Sequence, residues 1–420
     1  MSDWQLPNRF FRNDGNNIFT DISEKSRLND PRRSFSALPL DFNNDGLLDI
    51  YVVNDGQENQ FFYNYGYDQF EEATVRVQLS NHGNGMGVDV CDFNNDGYFD
   101  IYVTNIFRYQ PNAFFVNNGK GVFFDLSRQL GIDNTDWGWG IRFFDADHDM
   151  DEDVYVVNGF DSLDGEGNRN RFFRNDVDEF SNISSELGVD SNIQGMGLEV
   201  FDYDSDGDLD MLVGNREGSV DFYHNNLVET EVNVNWIQFL LQGTTSNRNA
   251  YGSVVVITCA GVDYYRYHSG VNLFGQSYKP VHFGLDNNDQ IDNVQIQWSN
   301  GIKENFGKQN ANHLSTLMEG EGLVDEVVLG TSSSELEKFR IYPNPFSEQL
   351  FIENNGEFQD EVYFYMSNIM GDVIYSDILK IDVLSSMFQA PIKTNQLPIG
   401  IYLYRFQSGD HSIQGKLIKW

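Results

Sequence analysis

The 420-residue chain carries 64 acidic against 27 basic side chains, a formal net charge of -37. That imbalance excludes nucleic acid and anionic membrane surfaces as partners, because both are held through basic patches. With two cysteines, Cys91 and Cys259, no Cys-x-x-Cys and no apolar run long enough to cross a bilayer, it also excludes a disulfide framework, a cysteine metal centre and a transmembrane segment.

The chain is long enough for two or three domains, and its 34 Phe, 21 Tyr and 38 Gly suit short strands and tight turns rather than disorder. It opens on Met1-Ser-Asp-Trp-Gln-Leu-Pro7, which has neither the basic nor the apolar region of a signal peptide. The first recognisable pattern is Asn8-Arg-Phe10-Phe11-Arg-Asn13, and it returns at Asn59 to Asn64, Asn112 to Asn117, Asn170 to Asn175 and, more faintly, Asp221 to Asn225.

Between these copies stand four acidic loops. They run from Asp41 to Asp49, Asp92 to Asp100, Asp145 to Asp153 and Asp202 to Asp210, and their first residues lie 51, 53 and 57 positions apart. Oxygen-bearing side chains occupy positions 1, 3, 5 and 9: Asp41, Asn43, Asp45 and Asp49; Asp92, Asn94, Asp96 and Asp100; Asp145, Asp147, Asp149 and Asp153; Asp202, Asp204, Asp206 and Asp210. Alternate residues of a tight loop converge on one hard cation, and calcium is the expected occupant. An EF-hand would need a bidentate Glu at position 12 and a following helix; position 12 is Val52, Val103, Val156 and Val213, inside β-branched and aromatic runs that read as strands. Two carboxylates about 4 Å apart repel by about 4 kcal/mol at an effective dielectric of about 20, so each loop needs a dication to relieve it.

The third loop departs from its relatives. Met150 stands where Gly46, Gly97 and Gly207 do, and if that position needs positive φ the site is expected to be weaker or reshaped. His148, at an even position, is expected to face solvent. Before loops two to four comes a Gly-x-Gly: Gly85 and Gly87, Gly138 and Gly140, Gly195 and Gly197. No helix opening on phosphates follows, so these glycines read as crowding where inner strands meet, not as a dinucleotide site.

Strand-rich units of this length read as propeller blades. Residues 8 to 226 resemble FG-GAP or VCBS repeats, whose hallmark is the Asp-x-Asp/Asn-x-Asp-Gly-x-x-Asp loop. From Asn235 the loops cease and strands are expected at Trp236 to Leu241, Ser253 to Thr258 and Val294 to Trp298. There Gly243 to Gly252, His282 to Leu285 and Trp298 to Gly301 resemble the ASPIC and UnbV domain, which commonly follows VCBS repeats in bacterial surface proteins and in the cartilage acidic protein family; Ser299 replaces the usual Pro after Trp298. A Gly- and Ser-rich linker is expected at 319–337. Beyond it, Tyr342-Pro343-Asn344-Pro345, Asn368 to Gly371 and Leu397 to Tyr402 resemble the C-terminal sorting domain of the type IX secretion system, which implies export across the outer membrane.

The expectation is therefore an all-β protein: a partial or small β-propeller over 1–230, a β-domain over 235–318, the linker, and an Ig-like β-sandwich over 338–420. The resemblance to exported cargo, the missing leader and the opening in mid-repeat together lead us to expect an N-terminally truncated array. No His-Glu-x-x-His, Gly-x-Ser-x-Gly or phosphate-binding Gly-x-x-x-x-Gly-Lys-Ser/Thr occurs, and Asp161, Asp164 and Glu166 in a Gly-rich insertion read as solvated, so catalysis is not expected. The functional expectation is a secreted or cell-surface, calcium-binding protein that recognises an extracellular protein or glycan and engages the type IX machinery through its tail. A polysaccharide-active enzyme or its accessory subunit is the alternative. Trp137, Trp139 and Tyr109 are either contact aromatics or core.

Overall fold

The computed structural model describes residues 6–106, 110–159, 169–176, 179–230, 234–275 and 280–327, and in the C-terminal segment 339–342, 346–347, 349–354, 361–368, 373–380, 392–393, 396–398, 400–408 and 411–419. Tyr109, Asp161, Asp164, Glu166 and residues 328–337 of the expected linker lie outside them. The chain divides into two compact units, Met1–Gly330 and Thr331–Trp420.

Each acidic loop joins the first two strands of an antiparallel meander. The first meander is Ser34–Leu40, Asp49–Asn54, Gln60–Asn64 and Phe70–Glu72, the second runs from Asn84–Cys91 to Phe123–Asp125, and the third from Gly138–Phe144 to Phe180–Asn182. The fourth has three strands, Gly195–Phe201, Asp210–Asn215 and Asp221–Tyr223, and a lone hairpin, Phe11–Asn13 with Phe19–Asp21, precedes the first. The first strands of successive meanders stand side by side. Gly87 and Gly140 allow this closeness: a Cβ on Gly87 would fall 2.4 Å from the Trp139 carbonyl oxygen, and one on Gly140 3.0 Å from that of Met196.

The recurring residues form one repeated lattice of bonds. Asn59 Oδ1 accepts the Asn54 N–H at 2.8 Å and its amide donates to Tyr51 Oη, while Asn112 does the same with Asn105 (2.7 Å) and Tyr102. Tyr102 and Tyr155 then donate to the Ile132 and Val189 carbonyls at 2.6 and 2.7 Å, tying the second strand of each meander to the segment that leads into the next. The paired phenylalanines serve opposite faces. Phe61, Phe114 and Phe172 are buried on one side of their sheets, Phe62, Phe115 and Phe173 on the other. At the ends of the row the covering neighbour is missing, so Phe11 is 53% and Phe222 44% exposed.

Residues 235–327 form two facing four-stranded sheets. One contains Asn235–Gln242, Val281–Asp286, Leu314–Met318 and Gly322–Val327, with the first and third of these parallel; the other contains Val254–Cys259, Val262–Tyr267, Gln290–Gln297 and Lys303–Asn310. Phe239, Val255, Ile257, Phe283, Val294, Ile296 and Trp298 fill the space between them. The strand Gly322–Val327 pairs with Leu314–Met318, so the first part of the expected linker is the last hairpin of this sandwich. Both cysteines are buried and unpaired. In the second unit a three-stranded and a four-stranded sheet enclose Phe346, Leu350, Phe364, Met366, Tyr402, Phe406 and Leu417.

Candidate metal centre

All four acidic loops lie at the same register, after the first strand of a meander, and they share one backbone shape. Position 6 has φ of 87° at Gly46, 82° at Gly97, 82° at Met150 and 106° at Gly207. In every loop the position-6 N–H donates to the position-1 carboxylate: Gly46 to Asp41 at 2.8 Å, Gly97 to Asp92 at 2.9 Å, Met150 to Asp145 at 3.1 Å and Gly207 to Asp202 at 3.1 Å. Met150 therefore does not reshape the turn. Its side chain is buried in the core of the sandwich 235–327, and that contact offsets the left-handed strain.

Position 9 has a further job that positions 1, 3 and 5 lack. One oxygen of Asp49, Asp100, Asp153 and Asp210 accepts the position-2 N–H at 3.0 to 3.3 Å, and the other accepts the N–H of Asn64, Asn117, Asn175 or Asn225 at 2.7 to 2.9 Å. These carboxylates staple the loop to the end of the third strand.

The ligand candidates divide the loops into two kinds. In the third, Asp145, Asp147 and Asp149 offer oxygens all within 4.8 Å of one another; in the fourth, Asp202, Asp204 and Asp210 do so, as do Asp204, Asp206 and His224. In the first and second, Asn43 and Asn94 take position 3 and their amides donate to Asp45 and Asp96 at 3.0 and 3.1 Å, which compensates part of the charge internally. The alternation also extends further than positions 1, 3, 5 and 9. Asp151 and Asp208 supply a carboxylate at position 7 of loops three and four, where loops one and two have Leu47 and Tyr98, and Asp208 is fully buried. Simple inspection of odd positions would have found them.

Burial dominates the electrostatics. Without a cation it pushes Asp49 up to about 7, and Asp92 and Asp202 to about 6; it holds Asp100, Asp145 and Asp153 well above the ordinary carboxylate range. The neighbouring carboxylates push in the same direction, as Asp45 and Asp41 do on Asp49. Asp145 is 1% exposed, and its Oδ1 has no hydrogen-bond partner among the described residues. The Arg266 guanidinium stands 4.0 Å from its other oxygen, and a buried, unpartnered carboxyl oxygen beside two further carboxylates fits a hard dication.

His148 does not face solvent. It is completely buried, its ring 5.0 Å from that of His282 in the sandwich, and its backbone carbonyl accepts the Asp286 N–H at 2.8 Å. Its even position turns it out of the loop, but into the sandwich rather than into solvent. Trp139 is half-buried, donates to the Gly159 carbonyl at 2.8 Å and packs on Phe274, and Trp137 packs beside it.

The fold and these loops define a β-repeat protein with acidic turns, and family models match three parts of the chain, the repeat model taking in loops one and two. The FG-GAP-like repeat matches residues 2–52 and 41–103, ASPIC and UnbV matches 243–324, and the secretion system C-terminal sorting domain matches 340–420. The chain thus carries FG-GAP-like repeats, an ASPIC and UnbV domain and a type IX sorting tail, which makes it an extracellular or cell-surface protein. It is 27% identical over 277 residues to cartilage acidic protein 1 of Xenopus tropicalis and 27% identical over 274 residues to that of Homo sapiens. Those matches take in 61% and 60% of this chain but 40% and 39% of theirs, so the chain spans about two fifths of the length of these relatives. The solved structure of dimeric latent PorU from Porphyromonas gingivalis aligns with 10% identity over 76% of this chain and 31% of its own, at a TM-score of 0.17, which carries no argument.

Proposed function

We propose that the repeats bind calcium and that the loaded array is a recognition module outside the cell, presenting its surface to a protein or glycan. The observation that carries the metal is Asp145: a completely buried carboxylate with an unpartnered oxygen, clustered with Asp147 and Asp149. Loops three and four, with five aspartates each, are the tight sites, and loops one and two the weaker ones. Asp41, Asp92, Asp145 and Asp202 with the position-3, position-5 and position-9 side chains would hold the ion, position 9 also orienting the shell through its staple. The sorting tail supports engagement by the type IX machinery during export. Recognition is supported by a strongly acidic chain on a repeat scaffold that also exposes single aromatics such as Phe35, Tyr67 and Phe124.

Isothermal titration of the full chain with calcium, followed by a glycan and matrix-protein array in calcium and in chelator, tests both parts. Calcium binding with two affinity classes and calcium-dependent capture support the proposal. Absence of calcium uptake sinks the metal reading, and product formation from a glycan sinks recognition in favour of an enzyme.

A further inference from the structure

The sandwich 235–327 reaches all four acidic loops, and at three of them it touches the position-1 carboxylate itself. Gln297 Nε2 donates to Asp41 Oδ2 at 3.1 Å, Gln238 Nε2 to Asp202 Oδ2 at 2.9 Å, and the Gly284 N–H to Asp145 Oδ2 at 2.9 Å. At the second loop the Tyr265 ring closes on Gly97, where an added Cβ would lie 3.2 Å from it. The Arg266 guanidinium donates to the Met150 carbonyl at 2.8 Å and lies 3.4 Å from Glu152, and Trp236 leaves no room for a Cβ on Gly207. One domain thus covers every loop of the row, across as many as 256 residues of sequence.

We propose that docking of this sandwich and cation occupancy of the loops are coupled, with Gln238 and Gln297 as positioning residues of the fourth and first sites. This rests on the reading that the loops hold a dication. Covering a cluster of carboxylates removes water from charges that repel one another, which is costly unless they are neutralised. A dication neutralises them, so it favours the covered state. By reciprocity the covered state favours the dication by the same factor. The glutamine amides add a second effect: each occupies one oxygen of a position-1 carboxylate and holds it in place, leaving the rest of the shell to the ion.

Two measurements on the full chain test the coupling. Hydrogen exchange reads docking through the Gly284 and Asp286 amides, which donate to Asp145 and to the His148 carbonyl, against the Val255 and Ile257 amides inside the sandwich. Chelation is expected to speed the first pair by about tenfold or more, a typical coupling factor, while leaving the second pair nearly unchanged. Calcium titration of Gln297→Leu and Gln297→Glu reads the reciprocal effect. The Leu variant is expected to weaken one site several-fold. The Glu variant is expected to lower the melting temperature in chelator, through repulsion with Asp41, and to bind calcium more tightly, a reversal that a merely structural residue would not show. Calcium binding by the wild type with equal exchange changes in both amide pairs, or with neither variant shifted, overturns the coupling and leaves the cation reading intact. A wild type that takes up no calcium overturns both.

Discussion

Aspartates four positions apart in the same loop have different duties. Asp100 accepts backbone N–H groups of Phe93 and Asn117, whereas Asp96 accepts one from Tyr98 and one amide from Asn94 in an exposed turn. A buried hydrogen bond contributes about 0.5 to 1.5 kcal/mol net, and stranding its donors costs about 1 to 3 kcal/mol more. Asp100→Ala is therefore expected to lower stability by about 3 kcal/mol or more in chelator and calcium alike. Asp96→Ala should cost under about 1 kcal/mol in chelator and show most of its loss only when calcium is present; paired denaturant titrations separate the two. Met150 offers a second contest. Replacing it by Gly removes left-handed strain of about 1 kcal/mol, but gives up a buried side chain whose truncation costs about 2 to 5 kcal/mol. Packing wins, so Met150→Gly should destabilise the chain by about 1 to 4 kcal/mol, measurable as a shift in urea midpoint.

Within a meander the loop and the aromatic pair set opposite demands. The loop carboxylates keep their protons in the metal-free folded state to higher pH than the unfolded chain does, Asp92 and Asp202 to about 6 and Asp49 to about 7. Between the ordinary carboxylate value near 4 and those values, the unfolded state binds fewer protons, so stability falls as pH rises. In chelator the melting temperature is expected to decline from about pH 4.5 to 7.5. Saturating calcium, which binds the ionised form, should flatten or invert that slope, and a decline unchanged by calcium would count against the loops as ion sites. The paired phenylalanines predict a positional contrast. Phe62 is 4% exposed between neighbours and Phe62→Ala should cost about 3 to 5 kcal/mol, whereas its equivalent at the start of the row, Phe11, is 53% exposed and Phe11→Ser should change stability by less than about 0.5 kcal/mol.

The division at Gly330 and Thr331 separates two cores with no shared cluster among the described residues. Removing residues 331–420 should therefore leave the main calorimetric transition of the repeats and sandwich within about 2 °C of the full chain, and delete one smaller transition. The repeats and the sandwich should by contrast melt as one unit in calcium, since Met150 belongs to the sandwich core and the sandwich covers every loop.

Several properties were written in the spacing of residues along the chain. Oxygen donors at alternate positions, the Val at position 12 and the tandem phenylalanines are patterns within a dozen residues, and the strand period of two carries them directly into structure. The Gly-x-Gly crowding was legible only through its repetition, since Gly87 meets Trp139 and Gly140 meets Met196 of the next meander. The candidate site was legible to the same extent, as sixteen side chains in four loops. Burial was not. Asp145 and Gly284 lie 139 residues apart and Asp41 and Gln297 lie 256 apart, so which carboxylates lose water, why His148 is enclosed and why Met150 is accepted were settled by a domain that local pattern does not position. The desolvation of these carboxylates is a long-range quantity, set when two distant surfaces meet.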